Sequence, residues 1–332
     1  MKYPEADKIK DLLKDAQTVV IIQADNPDGD SLASSLALEQ ILGDMGKEPV
    51  MYCGIDVPSY LHYLPGWDRV SNDIPHKFDL SIVVDTNADS LFTAMDKSGQ
   101  KPWMGTKPCI VIDHHATEGD LSFASIVCNP VAVATGEVIY ELAQQLGWPV
   151  NADAADMLAV AIMADSLGLS TEATTARSIH IIGELVEKGV SIAKLDNQRR
   201  ALMRKSPELV KYKGELLQRI EYHDDQKIAV ITIPYEEIQK YSPLYNPPML
   251  VIDDMRMTEN TELAIAFKTY NDGKVTAKIR SNYGHPMAGK LAEAFGGGGH
   301  AYASGFKITD GRSFSEIKDE TLRVATELLK SD

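Results

Sequence analysis

The sequence has only three cysteines among 332 residues, Cys53, Cys109 and Cys128, and none stands in CxxC spacing. A disulfide framework and a thiolate zinc site are thereby excluded, and a reducing cytoplasm is the expected compartment. Long apolar runs are lacking as well. The longest, LAVAIMA at 158–164 and MLVI at 249–252, fall far short of the roughly 20 residues that a membrane-spanning helix needs. The first residues, MKYPEADKIKDLLKDAQ, mix acidic and basic side chains without an apolar stretch ahead of a cleavage site, so no export signal is expected. Basic residues are in deficit, 33 against 48 acidic ones, for a formal net charge of −15. Long duplex nucleic acid is therefore excluded as the expected partner, since affinity for it comes from Lys and Arg displacing counterions. Aromatic residues are sparse and not interleaved with basic ones, which argues against an extended track of stacking platforms for a single strand.

What remains is an ordinary globular composition, 44% hydrophobic and 24% charged, and a length that favours two domains. The first half alternates β-branched runs with helical patterns, which predicts an α/β domain built on a mostly parallel sheet with helices on both faces. The strands are expected at 18–23, 48–53, 80–86 and 108–113, and the helices at 31–46, 134–147, 152–164 and 174–188. A polar helical stretch at 191–222, interrupted by Pro207, reads as a linker. From 223 a smaller mixed α/β domain follows, with strands KIAVITIP, TELAIAFKTY and KVTAKIRS, the last two joined through Asn271-Asp272-Gly273, a hairpin signal. A helix near 286–295, four consecutive glycines, the strand AYASGFKI and a helix at 314–330 complete it. The expected domains are thus 1–190, the linker 191–222, and 223–332.

Four features carry chemistry. NPDGDS at 26–31 follows the first strand, and loops after strand ends line the ligand crevice of an open parallel sheet. Gly29 is expected to let Asp28 and Asp30 face one point, with Ser31 as helix N-cap. Alone, such a string is more often a capping turn than a site. Asp85 ends the apolar run SIVV, and Asp113-His114-His115 ends IVI. Asp165 closes the helix LAVAIMA, where an acid is unfavourable to the helix dipole. Three of these four fall at strand ends on one edge of one sheet, which makes coincidence the weaker reading. Carboxylates with imidazole suit manganese or magnesium, and a shared carboxylate makes a two-metal centre for displacement at phosphorus.

The ordered set NPDGDS, VVDT, DHH and ADS, followed by GGGGH in a separate domain, resembles the DHH phosphoesterase superfamily with its DHH-associated C-terminal domain. The resemblance covers nearly the whole chain. It implies that Asp28 binds one metal, Asp30 the other, and that Asp85 bridges both, with His114 and Asp165 completing the second site. Asp113 would orient the histidine pair, and His115 would contact the substrate phosphate or protonate the leaving group. A metal-activated hydroxide would be the nucleophile. Arg280, Ser281, Gly296, Gly297, Gly298, Gly299 and His300 would hold the nucleotide. Tyr283 and Tyr302 lie near the glycine motif, and stacking on a base and a place in the core are both open to them. One departure stands out: the family has a histidine four residues before Asp28, and here that residue is Ala24. The first metal site is expected to be weakened, with Gln23 or Asp25 as substitutes.

The implied function is metal-dependent hydrolysis of short oligoribonucleotides, linear dinucleotides or 3′-phosphoadenosine-5′-phosphate in the cytoplasm. The partners would be short single-stranded RNA or small nucleotides, not membranes, and a homodimer is left open. Two alternatives stand beside it. One is a pyrophosphatase or polyphosphatase. The other is a catalytically weakened nucleotide-binding homologue, supported by Ala24 alone.

Overall fold

A computed structural model describes residues 3–115 and 119–331. The chain divides into two compact units, Met1–Arg204 and Lys205–Asp332. Among the described residues no helix is long and apolar enough to cross a membrane.

The first unit is built on five parallel strands, β1 (Thr18–Gln23), β2 (Glu48–Cys53), β3 (Leu80–Val84), β4 (Cys109–Ile112) and β5 (Ile126–Cys128), in the order β2-β1-β3-β4-β5. Its central strands β1, β3 and β4 are buried on both faces and read as nearly continuous apolar runs, broken by Thr18, Gln23 and Ser81. Val19, Ile21, Ile82 and Val84 point into the larger core with α1 (Ala6–Asp15), α2 (Gly29–Asp44), α5 (Thr135–Leu146) and α6 (Ala152–Asp165). The alternate residues Val20, Ile22, Val83 and Val111 pack on the other face against Phe92, Met95 and Met104, carried by the turn before α3 (Thr93–Lys97), by α3 and by α4 (Lys101–Met104). Helices α7 (Ala176–Glu187) and α8 (Ile192–Leu202) complete the unit. The strand order reverses between β1 and β3. The crevice at that switch point lies outside the carboxyl ends of these two strands, which are the segments that lead to Asp28 and Asp85.

The second unit begins with α9 (Pro207–Leu217) and carries a six-stranded mixed sheet in the order β10-β11-β9-β8-β7-β6. Its strands are β6 (Glu221–His223), β7 (Ile228–Ile233), β8 (Leu263–Thr269), β9 (Val275–Ser281), β10 (Gly298–His300) and β11 (Ala303–Ile308). Among the described residues the β7–β8 pair alone is parallel, with α10 (Tyr235–Tyr241) and α11 (Ile252–Arg256) on the crossover. One face packs against α12 (Ala288–Glu293) and α13 (Phe314–Ser331), the other against α9, α10 and α11. The Asn271-Asp272-Gly273 turn does join β8 to β9, with Gly273 at φ 78° and Thr269 opposite Val275.

The stretch 191–222 is largely helical, as expected of it, and is shared between the two units. Its first half, α8, places Leu195 in the core of the first unit, while α9 places Leu209, Tyr212 and Leu216 in the second. The break comes where Ser206 caps α9 by accepting from the Leu209 amide and Pro207 occupies the first turn, as suits a residue without an N–H.

Candidate active site and metal centre

Four separate chain segments deliver polar side chains to the carboxyl edge of the first sheet. The helix after β1 starts two residues earlier than its apolar pattern suggests. Asp28, not Ser31, is the N-cap: its Oδ1 accepts from the Ser31 amide at 3.0 Å, and Ser31 Oγ accepts from the Asp28 amide at 2.8 Å. Gly29 also has a different role from the one expected. It sits in the first turn of α2, where a Cβ would lie 2.7 Å from the Ala164 Cβ of α6. The missing side chain lets two helices approach closely rather than bending a loop. Gly136 does the same at the start of α5, where a Cβ would meet the Ala161 Cβ at 2.5 Å.

That close packing puts the first amides of α5 onto Asp30, which is wholly buried. Asp30 Oδ2 accepts from the Thr135 amide at 2.6 Å, and Oδ1 from the Gly136 amide at 3.1 Å and Ser34 Oγ at 2.9 Å. A helix N-terminus is a natural partner for a buried carboxylate. Asp85 follows β3 in the left-handed region, φ 63°, which Asp tolerates better than most residues. Its amide extends the ladder to the Ile112 carbonyl at 2.9 Å, and its Oδ1 accepts from Thr135 Oγ1 at 3.0 Å.

Asp113 and the two histidines after it divide into distinct roles by geometry. Asp113 is buried, and its Oδ1 accepts from the His114 amide (2.8 Å), the His115 amide (3.2 Å) and His115 Nδ1 (2.8 Å). This hydrogen bond outweighs burial and raises the His115 imidazole above its ordinary pKa. His114 turns inward instead. Its Nδ1 lies 3.3 Å from the Ala132 carbonyl oxygen, so a proton held there leaves the Nε2 lone pair free. Nε2 is buried without a hydrogen-bond partner and lies 3.2 Å from Asp165, 3.4 Å from Asp85 and 3.7 Å from Asp30.

Such an arrangement asks for positive charge. Burial opposes a charged His114, yet Asp165, Asp85 and Asp30 prevail and push its pKa up to about 11. Burial, with Asp85 and Asp165 close by, holds the Asp30 carboxyl well above its usual range and raises Asp28 in the same way. An orphaned ring nitrogen facing three carboxylates fits a hard divalent cation, whose ligands are oxygens and imidazole. Two donor sets lie close enough for one ion, Asp30-His114-Asp165 and Asp85-His114-His115. Neither includes Asp28. That carboxylate lines an adjoining cavity of about 150 Å³ together with Ala24, Asn26, Asp85, Asp113 and His115.

The neighbours proposed to stand in for the missing histidine are turned elsewhere. Asp25 Oδ2 accepts from Thr93 Oγ1 at 2.9 Å and the Ala94 amide at 2.7 Å. Gln23 is fully buried at the end of β1 and does not line the cavity. Asn26 does, and the sequence reading missed it, as it missed Thr135 and Gly136. A Thr-Gly pair opening a predicted helix was the available signal for the last two, because a helix N-terminus offers free amides.

In the second unit, Arg280 is half-buried on β9, and Ser281 is buried with its Oγ donating to the Ala301 carbonyl at 3.3 Å. The glycine run has a structural basis alongside the expected one. A Cβ on Gly297 would meet the Gly305 carbonyl oxygen at 2.3 Å, and one on Gly299 the Ala303 carbonyl oxygen at 2.6 Å, whereas Gly296 and Gly298 face open space. Tyr283 and Tyr302 stack on one another at 6.3 Å. The His300 side chain lies outside the described residues.

Fold and donor set together define an α/β protein with a cluster of carboxylate and imidazole groups that could hold a metal ion at the switch point of a parallel sheet. Residues 18–162 match the DHH family, N-terminal domain, and residues 249–331 match the DHHA1 domain. The chain thus carries a DHH family N-terminal domain followed by a DHHA1 domain. It is similar to the bifunctional oligoribonuclease and PAP phosphatase NrnA of Bacillus subtilis, 27% identical over 299 residues that span 88% of this chain and 89% of that protein. The protein of the same name from Thermus thermophilus is 25% identical over 287 residues, 84% of this chain and 81% of that one. Among solved structures, an exopolyphosphatase-related protein from Bacteroides fragilis has a TM-score of 0.83 at 20% identity, covering 98% of this chain and 96% of its own. At that identity the likeness is one of fold.

Proposed function

We propose that this phosphoesterase hydrolyses short single-stranded RNA and small nucleotides such as 3′-phosphoadenosine-5′-phosphate, using manganese or magnesium, in the cytoplasm. The observation that carries the reading is the buried, unpartnered His114 Nε2 facing Asp30, Asp85 and Asp165. Relatives named for both activities span most of the chain, which favours nucleotides over a substrate made of phosphate alone.

Asp30, Asp85, His114 and Asp165 would hold one cation, and Asp28 with Asp85 a second, weaker one. When bound, these ions supply Lewis-acid stabilisation of the phosphoryl oxygens and make water acidic enough to serve as a nucleophile at neutral pH. The chain's own groups do the rest. Thr135 and Gly136 fix both oxygens of Asp30, and the Thr135 hydroxyl fixes Asp85, so the donors need little rearrangement as substrate arrives. Asp113 holds His115 through Nδ1, which leaves Nε2 to present a proton to the departing oxygen. In the second unit Arg280 and the backbone around Gly296–Gly299 would grip a nucleotide phosphate, a task suited to the planar guanidinium.

The test is a panel assay with manganese on a labelled RNA dimer-to-pentamer series, 3′-phosphoadenosine-5′-phosphate, a cyclic dinucleotide and pyrophosphate. Turnover of the short RNAs and of the adenosine bisphosphate is expected. Turnover of pyrophosphate alone would overturn the reading.

A further inference from the structure

Directly after Asp165 the backbone takes a conformation that core packing explains only in part. Leu167, Gly168 and Leu169 are three successive left-handed residues, at φ 47°, 74° and 70°, in a region that leucine seldom occupies. Ser166, wholly buried, ties the turn down. Its Oγ accepts from the Leu169 amide at 2.8 Å, and its carbonyl oxygen accepts from the Ser170 amide at 2.8 Å and the Thr171 amide at 3.1 Å. Leu169 gains by packing against the first core. Leu167 does not, for it is 73% exposed. Strain that the surroundings hold in place clusters at active sites, and here it presents an apolar side chain beside Asp165.

Leu167 lines a cavity of about 740 Å³, within the roughly 300–1,000 Å³ of small-molecule sites. Met163 joins it from the end of α6, Ile192, Leu195 and Arg199 from α8, and Tyr63 from the segment after β2. All belong to the first unit. His62 stacks on Trp67 with ring centroids 3.4 Å apart, which fixes the segment that carries Tyr63. The cavity adjoins the carboxylate edge from two directions. Leu167 follows Asp165 by two residues, so their Cα atoms are at most about 7 Å apart. Tyr60, three residues before Tyr63, donates to the Pro27 carbonyl at 3.0 Å, and burial together with the Asp28 charge raises its phenol above the ordinary range.

The lining identifies the occupant. Its walls are mostly aliphatic and aromatic, which does not suit a ligand made of phosphate alone. On α8 Arg199 Nη2 donates to Asp196 Oδ1 at 2.8 Å, and both residues line the cavity, so donors and an acceptor stand side by side. An acyl chain would leave that pair unused, and a lone anion would meet the carboxylate. A nucleobase combines flat apolar faces with an edge of donors and acceptors, and stacking on those faces tolerates any base. The nearness of Asp165 makes it the base of the nucleoside whose phosphate is attacked.

We propose that this cavity takes the nucleobase next to the scissile phosphate, with Leu167 and Tyr63 against its faces and the Arg199–Asp196 pair at its polar edge. The inference rests on the nucleotide reading and deepens it, because it gives the first unit a base-recognising part of its own.

The experiment uses the full chain with manganese and compares an RNA dimer with two analogues, each lacking one base. The wild-type protein should lose about tenfold in kcat/KM on one of the analogues, the scale of a stacked base. Leu167→Gly should lose about tenfold on the intact dimer, chiefly through KM, and removal of the same base should cost it little more. This variant should melt no lower than the wild type, because glycine adopts φ 47° freely, whereas loss of a leucine with a purely structural role would lower the melting temperature. Leu167→Met keeps an apolar side chain and should restore KM on the intact dimer. A glycine variant that still loses tenfold on removal of the base would overturn the pocket, as would a loss confined to kcat, which would make Leu167 a support for Asp165. Equal turnover of intact and abasic dimers by the wild type sinks the pocket and leaves the phosphoesterase reading standing. Failure to cleave any RNA dimer sinks both.

Discussion

The first unit gathers carboxylates at the end of a parallel sheet, whereas the second spreads cations over the face of a mixed one, and the two are assembled from sequence in opposite ways. Asp28, Asp85, Asp113 and Asp165 come from loops and a helix end far apart in the chain, brought together because every parallel strand ends on the same edge. Thr276, Lys278 and Arg280 come from a single strand, placed by alternation. A site collected from many loops can crowd like charges deep in the protein, where α5 amides and a buried imidazole offset part of the repulsion. A site laid along one strand keeps its charges a fixed interval apart. The first arrangement suits a compact cation.

The largest break in this comparison is expected at Asp85, the carboxylate proposed to serve both ions. Asp85→Asn keeps a side chain that tolerates the left-handed backbone and can still accept from Thr135, but it removes the charge. Turnover with manganese should fall a hundredfold or more, about 2.7 kcal/mol or greater in transition-state stabilisation, with the melting temperature maintained. Asp85→Ala should lose the same activity and in addition about 1 kcal/mol of stability, because alanine adopts φ 63° less readily. Wild-type turnover in the folded asparagine variant would remove Asp85 from the centre.

A structural break comes next. Gly29→Ala would set a methyl 2.7 Å from the Ala164 Cβ, and both are held by packed helices, so the contact cannot be relieved by turning a flexible side chain. The expected cost is about 1–3 kcal/mol, read as a lower midpoint in denaturant, together with weaker manganese binding as α2 and α6 move apart. A variant of wild-type stability would mean that the helix contact does not set the site.

Arg280→Ala should act on the other side of the comparison. Its Nη1 donates to the Ile279 carbonyl at 3.0 Å, and it belongs to the second unit, whereas the carboxylates around His114 belong to the first. A rise of about tenfold in KM for short RNA with little change in kcat is the expected signature. An equal loss in kcat would place Arg280 in the chemistry instead.

The sequence made much of this legible. The parallel sheet was written in apolar runs at 18–23, 80–86 and 108–113, and the edge residues follow those runs directly. What it concealed was tertiary. Nothing local says that Gly29 is small because Ala164 lies against it, or that the α5 amides at Thr135 and Gly136 hold Asp30. The connector at 191–222 is helical as its pattern implies, but the burial of Leu195 in one core and of Leu209, Tyr212 and Leu216 in another was not visible in its polar faces.

The smallest expected effect concerns Ala24, and it sharpens the comparison from within the carboxylate edge. The residue is nearly buried and lines the 150 Å³ cavity with Asp28 and Asp85. Its methyl group offers no lone pair. Asp25 is held by Thr93 and Ala94, and Gln23 does not reach the cavity, so the first ion would depend on Asp28, Asp85 and whatever Asn26, solvent or substrate supplies. The donor groupings agree, since both are centred on His114 and neither contains Asp28. A hard cation can complete its shell with water and phosphate, so a missing ligand should weaken the site without abolishing turnover. Ala24→His should therefore lower the manganese concentration for half-maximal activity several-fold, up to about tenfold, the scale on which ligand surroundings tune metal affinity. Calorimetric titration with manganese, independent of turnover, should show the weaker of two binding events tightening while the stronger stays put. Two equally tight events in the unmodified protein, or an unmoved weak event in the variant, would mean that Asn26 or another neighbour already does the work of the absent imidazole.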